Sequence, residues 1–415
     1  MKQKIVVIGG SLGGLLAANM LQRAGHAVTL LEKAGSSLDG RGAGIVTHRP
    51  LLAAFERCGV PPEASLGVYV ERRVVLGRGG EVIAEAQIPQ ILTSWSRLYA
   101  LLRAAFSDSL YVQGAAVCKI DQSAGGVSVH CDDGRRFDAD LAIAADGIRS
   151  TVRAQFMPEV TQQYAGYVAW RGVCDEAVLS QHTLSTVFDS FGFGLPPGEQ
   201  LIGYPVAGAD NATGRGQRRY NFVWYRPADE PALRQLMTDA DGNHFPHGIA
   251  PHKVDWRHIA AVRKAARELM APQFAELLEK TPAPFLQPIY DCASPRMTFG
   301  RVALLGDAAF VARPHVGMGV TKAAEDAMAL ADCLNAHDDA HDDAPAALRA
   351  YERARLPEGA AVVQRARALG NYMQSQGLDP DRSSQALRGD ARKVMLETAI
   401  DLSPTPAEQP QAQPH

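Results

Sequence analysis

The chain has 415 residues, 46% of them hydrophobic, and a formal net charge of −3 at pH 7. That length buries a large core and predicts two closely joined domains, while the near-neutral balance without a basic tract excludes nucleic acid as the main partner. No apolar run reaches the roughly 20 residues of a membrane span, and six scattered cysteines without a C-x-x-C pair indicate thiols in a reducing cytoplasm rather than a zinc site or disulfide framework.

Ile5-Val6-Val7-Ile8 is a short β-branched run that predicts a fully buried parallel strand. Gly9-Gly10-Ser11-Leu12-Gly13-Gly14 follows, and Leu15 to Leu21 has helical composition and spacing, ending near Gly25. A second apolar run, Ala27 to Leu31, carries Glu32 at its tip with Lys33 beside it. This is a βαβ unit with an acid where a dinucleotide's ribose would lie. Gly9 and Gly14 let the backbone approach a pyrophosphate, whose charge meets the amides of Ser11 and Leu12 at the helix N-terminus. Glu32 accepts from ribose hydroxyls, which favours an adenosine without a 2′-phosphate. Ser11 replaces the usual second glycine but keeps its amide and adds a hydroxyl. A competing reading takes Lys2 and Lys4 before the apolar stretch as a signal peptide; Arg23 and Glu32 at βαβ positions argue against it.

Arg41-Gly42-Ala43-Gly44-Ile45-Val46 is a second glycine-rich turn, either laid against a flat ring system or a plain flexible connection. Ser96-Arg97-Leu98 opens like a helix and offers Arg97 to phosphate or ribityl oxygens, or to solvent. Val127 to Cys131 and the Asp132-Asp133-Gly134-Arg135 turn predict a hairpin. The buried strand from Leu141 then ends in Ala145-Asp146-Gly147, with a carboxylate at the sheet edge where ligands of open α/β sheets gather; Arg149 and Arg153 follow on a predicted helix. Between about Tyr164 and Ile289, alternating aromatic runs predict a mostly antiparallel sheet, half covered and half facing a cavity suited to a planar ring. Trp170 and Trp224 suit core packing equally.

Arg301 to Ala309 predicts another buried strand ending in Gly306-Asp307, followed by a loop and a helix from Thr321 to Leu334. Val316, Gly317 and Met318 stand at that helix entrance, where backbone amides meet negative charge. Asp307 is an acceptor for ribityl hydroxyls. The tandem His337-Asp338-Asp339-Ala340 and His341-Asp342-Asp343-Ala344 reads as a solvated loop, and no metal site is expected. A helix begins near Tyr351, and the segment from Ser403 has the composition of a disordered tail.

Taken together, the Gly9 to Gly14, Asp146-Gly147 and Gly306-Asp307 signatures resemble those of the FAD-dependent aromatic hydroxylases of the para-hydroxybenzoate hydroxylase type, from Lys4 to about Leu369. The segments Tyr164 to Val173, Leu236 to Asp239 and Pro314-His315 point to a subgroup acting on hydroxypyridines. The resemblance implies an α/β fold: a Rossmann-like FAD-binding domain of that type with an inserted, mostly antiparallel substrate sheet and C-terminal helices. The expected divisions are 1–68, 97–163 and 290–369 for FAD, 69–96 and 164–289 for the sheet, and 370–415 for a C-terminal helix and tail. It further implies a single-component monooxygenase. NADH or NADPH reduces bound FAD, oxygen adds at the flavin C4a as a hydroperoxide, and hydroxyl passes to a small electron-rich ring. By position, Gly9, Ser11, Gly14 and Glu32 serve the ADP half, Gly306 and Asp307 the ribityl chain, Gly317 and its neighbours the isoalloxazine, and Asp146 both FAD and NAD(P)H. A homodimer is compatible with the resemblance.

Electrophilic oxygen requires an electron-rich ring, and deprotonating a ring hydroxyl supplies that electron density. A histidine near its working pKa takes such a proton. His48 and His315 are the candidates, with Tyr204 to grip a substrate hydroxyl; a structural hydrogen-bonding role is the competing assignment for each. Two other functions are open: a flavoenzyme of the same fold epoxidising or oxidising a larger natural product, which requires a pocket too large for one ring, and a flavin-binding redox sensor, which would bind FAD without substrate-stimulated NAD(P)H oxidation.

Overall fold

The strands in chain order are β1 (Lys4–Ile8), β2 (Ala27–Glu32), β3 (Gly44–Val46), β4 (Val68–Leu76), β5 (Val82–Ser94), β6 (Tyr111–Gln113), β7 (Val117–Gln122), β8 (Val127–Cys131), β9 (Arg136–Ala139), β10 (Leu141–Ala144), β11 (Gln163–Asp175), β12 (Phe191–Gly194), β13 (Gln200–Val206), β14 (Arg219–Pro227), β15 (Phe285–Ala293), β16 (Thr298–Phe299), β17 (Val302–Leu304) and β18 (Phe310–Val311). The helices are α1 (Leu12–Arg23), α2 (Arg49–Arg57), α3 (Trp95–Ala105), α4 (Thr151–Phe156), α5 (Gln181–Thr183), α6 (Glu230–Leu236), α7 (Trp256–Leu269), α8 (Pro272–Lys280), α9 (Gly319–Ala336), α10 (Ala344–Ser375) and α11 (Ser384–Glu397). The structure is a computed structural model and describes residues 2–38, 44–61, 66–336, 344–376 and 384–401. Arg41, the repeat at 337–343 and the segment from Ser403 lie outside the described residues.

A six-stranded sheet has the order β16-β17-β10-β1-β2-β6, parallel except for β16. β1, α1 and β2 form the expected βαβ unit, with Lys4 opposite Ala27. Ile5, Val6, Val7 and Leu141 to Ala144 are at most 1% exposed, the continuous burial of strands covered on both faces. Beyond the strand ends the pairing continues: Gly9 N donates to Leu31 O at 2.7 Å, Ala145 N to Ile8 O at 2.8 Å and Leu305 N to Ala144 O at 2.8 Å. Three signatures that are distant in sequence therefore start side by side at one carboxyl edge.

The second sheet has nine strands in the order β18-β15-β11-β14-β13-β12-β4-β5-β3 and is antiparallel except where β12 meets β4. It takes in β3 and β18, which lie in the segments assigned by sequence to the cofactor unit. Alternation along β14 sends Tyr220, Phe222 and Trp224 to one core with Trp170, α7 and α8, and Val223 and Tyr225 to another with Tyr167 and Tyr204. Trp170 and Trp224 thus fill the helix-covered face, which leaves the tyrosines on the opposite one. Met373 of α10 and Met395 of α11 pack on that tyrosine face.

A small sheet, β7-β8-β9, carries the expected hairpin, and Gly134 takes a φ of +87° in its turn. The six cysteines are unpaired. Among the described residues no helix is long and apolar enough to cross a membrane.

Candidate active site

The first loop is compressed to backbone thickness. A Cβ on Gly14 would stand 1.8 Å from the Gly9 carbonyl oxygen, and one on Gly9 would stand 2.3 Å from that of Ala145. Only glycine allows α1 to start so close to β1. Ser11 is the N-cap of α1 without a side-chain capping bond, so the amides opening the helix remain available to an anion. Leu12 is buried and contributes backbone only. Glu32, 6% exposed, accepts from Gly10 N and Ala34 N, both at 2.8 Å. It braces the glycine loop while keeping carboxylate lone pairs for a ribose. Lys33 is exposed.

Asp146 and Asp307 stand at the carboxyl edge of the six-stranded sheet. Asp307 leaves half of its side chain exposed, yet the surrounding protein desolvates its carboxyl and pushes its pKa upward. Desolvation raises Asp146 as well; its Oδ1 is buried with no hydrogen-bond partner, and its Oδ2 accepts from Val152 N at 3.3 Å. The fully buried Lys322 ammonium stands 3.9 Å from Asp307. Gly306 N donates to Asp326 Oδ2 at 3.1 Å, and Asp326 is held by Arg355 at 2.8 Å. Arg153 joins the two motifs: its guanidinium donates to the carbonyls of Ala308, at 2.8 Å, and Ile148. The sequence placed Arg153 on a helix without this role.

The remaining cofactor candidates lie on β3, on α3 and at the start of α9. Gly44 N donates to Asn221 Oδ1 at 3.0 Å, and a Cβ there would strike Asn221 and Tyr204, both at 2.6 Å. Ile45 is partly buried against the core. Arg97 lies in the first turn of α3, where its backbone N donates to the N-cap Ser94; burial lowers its pKa. Val316 and Met318 are buried on either side of Gly317, which has a φ of +68°. The turn presents its amides at the N-terminus of the 18-residue helix α9, where the dipole favours negative charge.

His48, the N-cap of α2, is buried with Nδ1 2.9 Å from Thr321 Oγ1. Burial lowers its pKa, against the opposing pull of Asp401 and the Ala399 carbonyl. His315 is tied at both nitrogens: Nδ1 lies 2.7 Å from Gln200 Oε1 and Nε2 lies 2.9 Å from the Tyr167 hydroxyl. Gln200 Nε2 donates to Thr398 Oγ1 at 3.3 Å, and with Oε1 facing the imidazole His315 Nδ1 is the nitrogen that donates. Tyr225 packs on the imidazole with ring centroids 4.2 Å apart.

Beyond it, Tyr204 and Tyr225 are raised by burial, Tyr225 to about 12, with the Arg171 charge pulling both down. Arg171 Nε and the Tyr225 hydroxyl are buried without hydrogen-bond partners. Arg73, another residue that the sequence did not single out, donates to the carbonyls of Met395, Thr398 and Ala399. It caps the last turn of α11, and Ala399 N donates to His315 O at 3.1 Å.

These residues suit FAD: a flat glycine loop and helix-opening amides for the pyrophosphate, desolvated carboxylates for hydroxyls, and a second helix N-terminus for the electron-rich ring edge. Residues 164–291 match a family model described as FAD binding domain-like, and residues 252–366 match one described as FAD binding domain. The 2,6-dihydroxypyridine 3-monooxygenase of Paenarthrobacter nicotinovorans is 30% identical over 375 residues, covering 90% of this chain and 92% of that one. The aurachin C monooxygenase/isomerase of Stigmatella aurantiaca is 31% identical over 393 residues, covering 89% of each. The solved structure of 2,6-dihydroxypyridine-3-hydroxylase from Arthrobacter nicotinovorans superposes with a TM-score of 0.84 at 30% identity, covering 92% of this chain and 95% of that one. With three signatures meeting at one sheet edge and relatives matched over nearly their whole length, the chain belongs to the FAD-dependent aromatic hydroxylases of the para-hydroxybenzoate hydroxylase type and is an FAD-dependent aromatic monooxygenase.

Proposed function

We propose that the protein uses NADH or NADPH and O2 to hydroxylate a small aromatic or N-heteroaromatic ring already bearing a hydroxyl, with hydroxypyridines favoured. The observation that carries this reading is the tyrosine face of the nine-stranded sheet, where Arg171 and the Tyr225 hydroxyl hold buried polar atoms without partners. Buried polar groups are ordinarily hydrogen-bonded, so this pair suits a ligand that brings an oxygen. When bound and reduced, FAD supplies an electrophilic oxygen derived from O2.

The chain's own residues prepare the ring. Arg171 favours an ionised ring oxygen through its charge, and Tyr204 and Tyr225 donate to that oxygen because their hydroxyls stay protonated. Ionisation raises electron density at the positions ortho and para to it. His315, with both nitrogens engaged, orients Tyr167 and closes the wall. His48 is kept neutral by burial and is the proton acceptor, with Thr321 fixing its Nδ1. The Asn221 contact to Gly44 sets the distance between the sheet and the flavin-side strand.

The test is NAD(P)H oxidation by the FAD-loaded protein over hydroxypyridines, dihydroxypyridines and hydroxybenzoates. Stimulation by a ring that gains one oxygen is expected. Bound FAD with no stimulation by any ring would favour a redox sensor.

A further inference from the structure

A cavity of about 560 Å³ opens between the far end of the nine-stranded sheet and helices α10 and α11. Its walls include Leu76, Leu195, Met270, Leu369, Met373 and Val394. Glu199 also lines it but is paired with Arg226 at 3.1 Å, and the exposed Arg78 and Lys393 stand at the solvent side. The walls are chiefly apolar; Asp390 and Glu397 also line them, and Asp390 accepts from the Tyr372 hydroxyl at 2.9 Å.

The inner end of the cavity is the back of the proposed ring site. Gln200 and Thr398 line it; Gln200 holds His315 through Oε1 and Thr398 through Nε2, the latter across a long 3.3 Å hydrogen bond. Size decides what belongs there. At about 30 Å³ per water-sized group, a guest that fills the cavity is far larger than a small ring substituent of two or three atoms. The whole volume holds roughly 18 such groups and lies in the range of sites that enclose drug-sized ligands.

We propose that this cavity receives a hydrocarbon chain carried by the ring substrate, which passes the Gln200–Thr398 contact while the ring lies on the tyrosine face. The preferred substrates are then hydroxylated aromatic or N-heteroaromatic rings bearing a hydrocarbon chain of roughly ten carbons or more, as the volume allows. This rests on the reading of the ring site given above.

The experiment uses the FAD-loaded protein and a series of 4-alkyl-substituted hydroxypyridines and hydroxybenzoates with chains from none to twelve carbons. Binding is read from the perturbed flavin absorbance, separately from turnover. Each added methylene tightens binding about fourfold until the chain fills the cavity. Leu195→Trp and, independently, Val394→Trp flatten that dependence and leave the parent ring's binding and turnover unchanged, with FAD content verifying the fold of each variant. Chains that bind no better than the parent ring, or a chain-length dependence that survives in both filled variants, overturn the proposal. Rings that bind with the predicted dependence but are not oxygenated support the cavity assignment and overturn the reading of the ring site as hydroxylating.

Discussion

His315 Nδ1 donates to Gln200 Oε1 across 2.7 Å while its Nε2 accepts from the Tyr167 hydroxyl at 2.9 Å. A base must have a free lone pair, and this imidazole has none to spare. Burial and the neighbouring Arg313 guanidinium also hold its pKa down to about 3.

The sign of the resulting pH dependence follows from linkage. As pH falls below 6.5 the unfolded chain protonates this histidine, whereas the folded chain keeps it neutral until about 3. Its contribution to stability is fully present above pH 6.5 and is lost progressively on the way down to pH 3. At pH 5 the loss is about 2 kcal/mol. His315→Gln should lose less stability than the parent protein between pH 7 and pH 5 in urea unfolding; His48, shifted in the same direction, leaves a remainder. Equal acid sensitivity in the two proteins would contradict the buried neutral assignment.

Arg153 is buried and gives its guanidinium to backbone carbonyls next to both the Asp146 and the Asp307 motif. Arg153→Met leaves the Ala308 carbonyl unsatisfied, at about 1–3 kcal/mol, while Ile148 O keeps the Gln162 donor at 2.7 Å, and it should both lower the urea midpoint and weaken FAD. Asp307→Ala removes a half-exposed acceptor and should weaken FAD about 10- to 100-fold, and by leaving the buried Lys322 ammonium without this carboxylate it should also lower the midpoint. A fluorescence titration with FAD and an unfolding curve separate binding from stability. An unchanged midpoint for Arg153→Met would remove it as the brace.

Arg171→Met should raise the Kd of the ring substrate about 10- to 100-fold, the worth of a charge-assisted hydrogen bond, at unchanged FAD content. The loss should be largest where the free ring is ionised and small where it is neutral. A loss independent of substrate ionisation would show that Arg171 acts only through packing.

If His48 accepts the ring proton, His48→Asn lowers kcat about 100-fold near pH 7. Turnover should recover as pH rises above the ring's own pKa, because the substrate then arrives ionised. A pH-independent defect would instead assign His48 to positioning Thr321.

The glycine signatures were legible because backbone crowding leaves only one residue type at Gly9 and Gly14, and that constraint is written directly into the sequence. Alternation in 164–289 announced a two-faced sheet but not which face met the helices, so Trp170 and Tyr167 were equivalent until the structure separated them. Arg153, Arg73 and Gln200 were invisible for a different reason. The first two bind chiefly backbone carbonyls, which every residue has, and Gln200 meets a histidine 115 positions away. The saturation of His315 was hidden in the same way, since Tyr167 lies 148 positions from it. Arg355 and Asp326, which hold Gly306 in place, likewise belong to two helices that meet only in the fold.

The most direct test of the account is single-turnover oxygenation under ¹⁸O2, with the FAD-loaded protein reduced by NADH or NADPH and mixed with its best hydroxylated ring. The account predicts one ¹⁸O atom in the product, carried by a ring carbon ortho or para to the existing hydroxyl. Reduced flavin that reoxidises with hydrogen peroxide and leaves every ring unlabelled would contradict it.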